Sequence, residues 1–208
     1  METCPEVQEC RYIKCNAMGD YGPGTLKLTK GLAEILNLPL YMHIGEFQLQ
    51  NPKHLLAPEA FRIADAGDMI THLYHGNLGQ VIDDKGKVLP VVREAERRGV
   101  IFDLGFGGYN FSWDVAEKAF AQDLIPHTIS SDLQQFNVVR PVKSLANVMS
   151  AMMRLGMTLS GVIERVTSLG LFLWASRNSL IPNDRFMAVI FWKAILIANF
   201  SPLTKLIK

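Results

Sequence analysis

Cysteine is scarce in this chain and badly placed for covalent bracing. The three present, Cys4, Cys10 and Cys15, lie in the first fifteen residues, are odd in number and form no CxxC pair. Neither a disulfide framework nor a zinc ribbon is suggested, and a reducing cytoplasm is the expected compartment. An excess of one charge is missing too. With 21 Lys and Arg against 20 Asp and Glu, and no basic run, nucleic acid has no electrostatic footing as a partner. The opening METCPEVQEC is acidic and polar, so no secretory leader is expected. A long apolar run is also lacking. The stretch 186–200 is broken by Lys193 and falls short of the roughly 20 apolar residues that a membrane span needs, so membrane association is not expected. Glycines 105, 107 and 108 in LGFGGYN make the one candidate phosphate loop. Asn110 stands where G-x-G-x-x-G requires its last glycine, which argues against a doubly wound nucleotide-binding protein.

What is there is globular. The chain has 208 residues, 49% hydrophobic and 20% charged, enough for one domain with a sizeable core. From residue 10 to 168, short apolar runs alternate with amphipathic stretches. The runs are RYIKCN (11–16), LPLYMHIGE (38–46), DMITHLYHG (68–76), GVIFDLGFGG (99–108) and HTISSDL (127–133). Between and after them lie helical patterns at 24–37, 52–66, 88–99, 112–123 and 141–156. In the last, Leu145, Val148, Met149, Met152 and Leu155 repeat at helical spacing before Gly156, a stripe that reads as core. Strands alternating with helices predict α/β architecture with a parallel sheet built of five βα units. A polar lead (1–9) precedes this region. A basic, apolar tail (169–208) follows it and reads as a buried helix, a peripheral anchor or non-native sequence.

In parallel α/β folds, chemistry collects at the carboxyl ends of the strands. Reading only those ends gives Lys14, His43, His72 and Asp132, one from each of four runs. Imidazole, carboxylate and a nitrogen-bearing side chain suit zinc or a similar borderline metal, which would acidify a water, with Asp132 placed to take the proton. Each residue has a structural alternative: a solvent-reaching lysine, satisfied core histidines, a helix-capping aspartate. His54 and His127 read as surface residues, and His75 is ambiguous.

The order Lys, His, His, Asp, carried by YIKCNAMGDYG, LPLYMHIGE, GDMITHLYHG, GVIFDLGFGG and HTISSDL, resembles the amidohydrolase superfamily, in its dihydroorotase-like, deacetylase-type branch. The resemblance implies a partial TIM-type (β/α)8 barrel holding strands four to eight. It implies that Lys14 is carboxylated by carbon dioxide and bridges two divalent ions, most simply zinc. His43 and His72 would ligate the second ion. Asp132 would touch the first and shuttle protons. A metal-bound hydroxide would then attack the amide or ester carbonyl of a small acylated or cyclic-amide substrate. Tyr74, His75, Gly107 and Gly108 would lie on loops facing that substrate. A small-molecule substrate is thus the expected partner, with room for a homo-oligomer.

The chain also departs from this pattern. No His-x-His pair occurs, and the first three strands have no counterpart. After VIERVTS (162–168) the likeness stops, as a shifted reading frame near Ser168 would produce. An impaired enzyme is therefore expected, or else a non-catalytic fragment that associates with a partner or a membrane.

Overall fold

The computed structural model describes residues 13–15, 22–45 and 55–167. The chain builds a parallel sheet whose strand order follows the sequence: β1 (Ile13–Cys15), β2 (Leu40–His43), β3 (Met69–Thr71) and β4 (Ile101–Asp103). Ile13 pairs with Leu40, Tyr41 with Met69, and Met69 with Ile101, so the register between neighbours steps by no more than one residue. Helix α1 (Gly22–Leu36) connects the first pair, α2 (Glu59–Ile63) the second and α3 (Pro90–Arg97) the third. Helices α4 (Trp113–Phe120), α5 (Leu145–Arg154) and α6 (Leu159–Val166) follow.

The fifth expected strand shrinks to a single parallel bridge between Asp103 and Thr128. Its segment still runs beside the extension of β4, where Leu104 and Phe106 donate backbone N–H groups to Thr128 and Ser130 at 3.0 and 3.1 Å. Regular strand geometry fails because that extension holds Gly105, Gly107 and Gly108 at positive φ (+49°, +51° and +90°), outside the β region. The helix expected over 52–66 is confined to five residues, with Pro58 at its N-cap and Ala64 already extended. Helix α6 lies outside the five expected helical stretches. It starts where Thr158 accepts the Gly161 N–H at 3.1 Å. Ser144 likewise caps α5 by accepting from Asn147, and Pro90 occupies the first turn of α3, where its missing N–H costs nothing.

In β2 the side chains alternate, as the pleat requires. Leu40 and Met42 are buried in the apolar core, while Tyr41 and His43 face a cavity. The core packs Leu26 and Ala33 of α1, Phe61 of α2 and Val92 and Ala95 of α3 around the sheet, with Phe61 edge-on to Phe102 at 6.0 Å. At the amino ends of the strands Asp68 acts as a clamp. Its carboxylate accepts the N–H of Leu40 and of Asp65, both at 2.9 Å, and pairs with Lys30 at 2.7 Å. Among the described residues no helix is long and apolar enough to cross a membrane. The polar lead, His54, Glu46 and the tail from 168 onward lie outside the described residues.

Candidate active site

At the carboxyl ends of the strands, a cavity of about 210 Å³ is lined by Tyr41, His43, Thr71, His72, Gly105, Ser130 and Asp132. Three of the four residues singled out at strand ends therefore line one cavity. Of the fourth, Lys14, the backbone sits in β1 opposite Tyr41, adjoining this end of the sheet.

His43 is the last residue of β2, and His72 follows β3 directly. Nδ1 of His43 lies 3.0 Å from Nε2 of His72, with the rings edge to face. The tautomer of His72 is set on its other side. Its Nδ1 is 2.6 Å from the carbonyl oxygen of Gly105, an acceptor only, so Nδ1 carries the hydrogen and Nε2 presents a lone pair into the cavity. A ligating histidine whose second nitrogen donates to a carbonyl is a recurring arrangement at metal sites. Two nitrogens on one tetrahedral zinc stand about 3.3 Å apart, as metal–nitrogen bonds of about 2.0–2.1 Å dictate. The His43–His72 pair is near that spacing, and the proton between them stands where a shared cation would sit. The donor set thus fits a borderline divalent ion through two ligands. Among the described residues no third His, Cys, Asp or Glu joins them within ligating reach.

Local backbone places these groups. His72 and Asp132 are two of the five non-glycine residues with left-handed φ (+71° and +46°) among the described residues. Such conformations cost about 1–3 kcal/mol each and persist where surrounding contacts hold them. At Asp132 that hold comes from Asn137, fully buried, whose amide nitrogen donates to the carbonyls of Asp132 (2.9 Å) and Gly107 (3.0 Å). Gly105 is needed for space, since a Cβ there would meet Thr71 Oγ1 at 2.3 Å.

Four residues expected on substrate-facing loops are placed differently from one another. Gly107 touches the site, because its missing side chain leaves room for the carboxylate of Asp132. Gly108 packs instead against Pro141. Tyr74 is fully buried with its hydroxyl donating to the Leu124 carbonyl at 2.5 Å, away from the cavity. Desolvation raises its pKa far above the usual phenol value. His75 is fully buried under Gly45, and burial, helped by nearby His72, pushes its pKa down to about 4. The left-handed turn at His72 carries both residues inward, which a loop reading of LYHG does not anticipate. His127, expected at the surface, is tucked against Phe102, whose N–H it accepts at 3.0 Å. Burial lowers its pKa.

One residue escaped the strand-end reading. Asp103 ends β4, is 3% exposed, and accepts the hydroxyls of Thr71 (2.7 Å), Thr128 (2.7 Å) and Ser130 (2.8 Å). Its position at the close of GVIFD obeys the same rule that found His43. A larger cavity of about 370 Å³ lies at the opposite, amino ends of β2 and β3, where Lys30 is held by Asp65 (2.8 Å) and Asp68. Internally neutralised, it reads as a stabilising face.

A parallel-sheet α/β protein with two imidazoles and a carboxylate at one mouth is the class so defined. Across 149 residues, 72% of its length, the chain is 34% identical to a deacetylase of Agrobacterium fabrum, of which it covers 35%. It is also 34% identical to a deacetylase of Brucella anthropi, with 36% covered, and 32% identical to one of Enterococcus faecalis, with 40% covered. Among solved structures, a dihydroorotase matches 78% of this chain and 42% of its own at 34% identity, with a TM-score of 0.67. An adenine deaminase matches 78% of this chain and 45% of its own at 28% identity, with a TM-score of 0.69. No protein-family model matches the chain. Over the matched part, the chain is related to the amidohydrolase superfamily. It spans between a third and two fifths of the curated relatives' length.

Proposed function

We propose that this chain carries part of a metal-dependent hydrolase acting on the amide or ester carbonyl of a small acylated or cyclic-amide substrate, as a deacetylase or dihydroorotase does. The convergence of His43 and His72, 3.0 Å apart at the mouth that Asp132 also lines, is the observation that carries this reading. In it, residues 10–168 are strands four to eight of a (β/α)8 barrel with their helices, and the chain works in the cytoplasm as a non-membrane protein.

His43 and His72 would hold the ion, with Lys14, as its carbamate, and Asp132 completing the set. Zinc would supply Lewis acidity, polarising a carbonyl and acidifying a water near neutral pH. The chain's own groups do the rest. The Gly105 carbonyl fixes the tautomer of His72 so that its lone pair faces the cavity. Asp132 would accept a proton from the nucleophile and return it to the leaving nitrogen or oxygen. Asn137 holds the Asp132 backbone, Gln134 donates to the carboxylate at Oδ1 (3.1 Å), and Gly107 leaves it room.

Hydrolysis of a panel of N-acyl and cyclic amides, measured with zinc for the parent chain and for His43→Ala, His72→Ala and Asp132→Ala, tests the reading. Activity in the parent and its loss in all three variants is expected. Turnover that survives in the variants overturns it.

A further inference from the structure

The two hydroxyls that line the cavity with the histidines have their hydrogens committed. Thr71 Oγ1 and Ser130 Oγ both line the cavity, and both donate to Oδ2 of Asp103, at 2.7 and 2.8 Å. A hydroxyl has a single hydrogen to donate and two lone pairs to offer. With that hydrogen aimed at Asp103, each oxygen can turn only a lone pair toward the cavity. The third hydroxyl, Thr128, takes Oδ1 at 2.7 Å, so both carboxylate oxygens have donors and the group sits 3% exposed. Tyr41 Oη adds a long contact to the same Oδ2, at 3.5 Å.

Such a carboxylate does more than brace strand ends. Bracing alone could be done by an apolar residue, without the cost of burying an ion. We infer that Asp103 is a positioning residue that gives the cavity an acceptor-only wall. Lone pairs of Thr71 and Ser130, the carboxylate of Asp132 and the imidazole of His72 then all face one small volume. That volume favours a cation and repels an anion. The inference rests on the metal-site reading above for the role of the histidines, but it concerns a different residue and can fail separately.

Replacing Asp103 with asparagine keeps the shape and reverses part of this polarity. An amide nitrogen in place of Oδ2 donates to Thr71 and Ser130 and turns their hydrogens toward the cavity, whereas in place of Oδ1 it meets Thr128, which does not line the cavity. The experiment uses the full 208-residue chain and two probes, zinc chloride and inorganic phosphate, titrated by calorimetry, with far-UV circular dichroism as the check on folding. The parent should bind zinc and not phosphate. Asp103→Asn, still folded, should bind zinc at least tenfold more weakly, in the range seen when outer partners of metal ligands are removed. Ser130→Ala, at the cavity edge, should lose less.

Parent zinc affinity retained in both folded Asp103→Asn and Ser130→Ala overturns the inference, as does phosphate binding to the parent or the absence of zinc binding to it, while a loss in either variant supports it. If Asp103→Asn unfolds, Ser130→Ala decides, with unchanged zinc affinity counting against the inference and a loss supporting it. Zinc affinity that falls in Asp103→Asn but ignores His43→Ala supports the role of Asp103 and overturns the histidine-ligand reading.

Discussion

A Cβ on Gly107 would stand 2.6 Å from Oδ2 of Asp132, inside any real contact distance, so the carboxylate occupies space that only glycine leaves open. Gly107→Ala therefore carries two penalties. The φ of +51° strains any residue with a Cβ by about 1–2 kcal/mol, and the aspartate must move. Urea unfolding should show that loss, and under the proposed hydrolase function turnover should fall with it. A variant as stable and active as the parent would show that the loop yields freely.

Lys30 balances Asp68, whose side chain is only 4% exposed and holds two backbone N–H groups. Lys30→Met should cost about 3 kcal/mol, the scale for stranding one partner of a buried pair. Burial alone would lower the lysine pKa, but hydrogen bonds to Asp65 and Asp68 and their charges outweigh it and raise the value above 10.5. A raised pKa places the stabilisation below pH 10.5 and removes it as pH climbs through the folded value. Alkaline unfolding should steepen above pH 10.5 in the parent and flatten in Lys30→Met.

His75 acts at the acid end. Its pKa, pushed down to about 4, means that the unfolded chain binds the proton first. Stability should be full above pH 6.5 and fall between 6.5 and 4, by roughly 3 kcal/mol at most. His127, also lowered by burial, adds in the same direction. Denaturant midpoints at pH 7.5 and 4.5 measure this. His75→Gln should retain less of the difference, and an equal slope in parent and variant would assign the acid sensitivity elsewhere.

Tyr74→Phe removes a buried donor from the Leu124 carbonyl. About 1–2 kcal/mol should be lost, since the carbonyl stays buried without this partner. Substrate KM should not change, because the ring lies in the core. A KM effect with full stability would return Tyr74 to the substrate side.

How much of this could be read from residues alone follows from how local each signal is. β2 was visible because Leu40 to His43 is a short apolar run closed by an imidazole. The stretches that hold α3 and α5 were visible as helical patterns, but their starts, at Pro90 and after the Ser144 cap, were not marked. Helix α2 was overdrawn, since Pro58 limits a pattern that otherwise continues. The histidine pair could be guessed from the rule about strand ends, but its 3.0 Å spacing depends on a left-handed His72 that no pattern announces. Asp103 was passed over because its meaning lies in Thr71, Thr128 and Ser130, which are 25 to 32 positions away along the chain. The inward turn that buries Tyr74 and His75 is equally invisible to hydropathy, which sees four residues ending at a glycine.

The sequential register of the sheet has a kinetic side. Each strand pairs with one only about thirty residues away, so each pairing closes a loop of similar and modest size. Loop-closure entropy grows slowly with length, and among the described residues no strand must wait for a remote partner. A chain wired in this way can add its strands one at a time, each seated on the last, as synthesis delivers them.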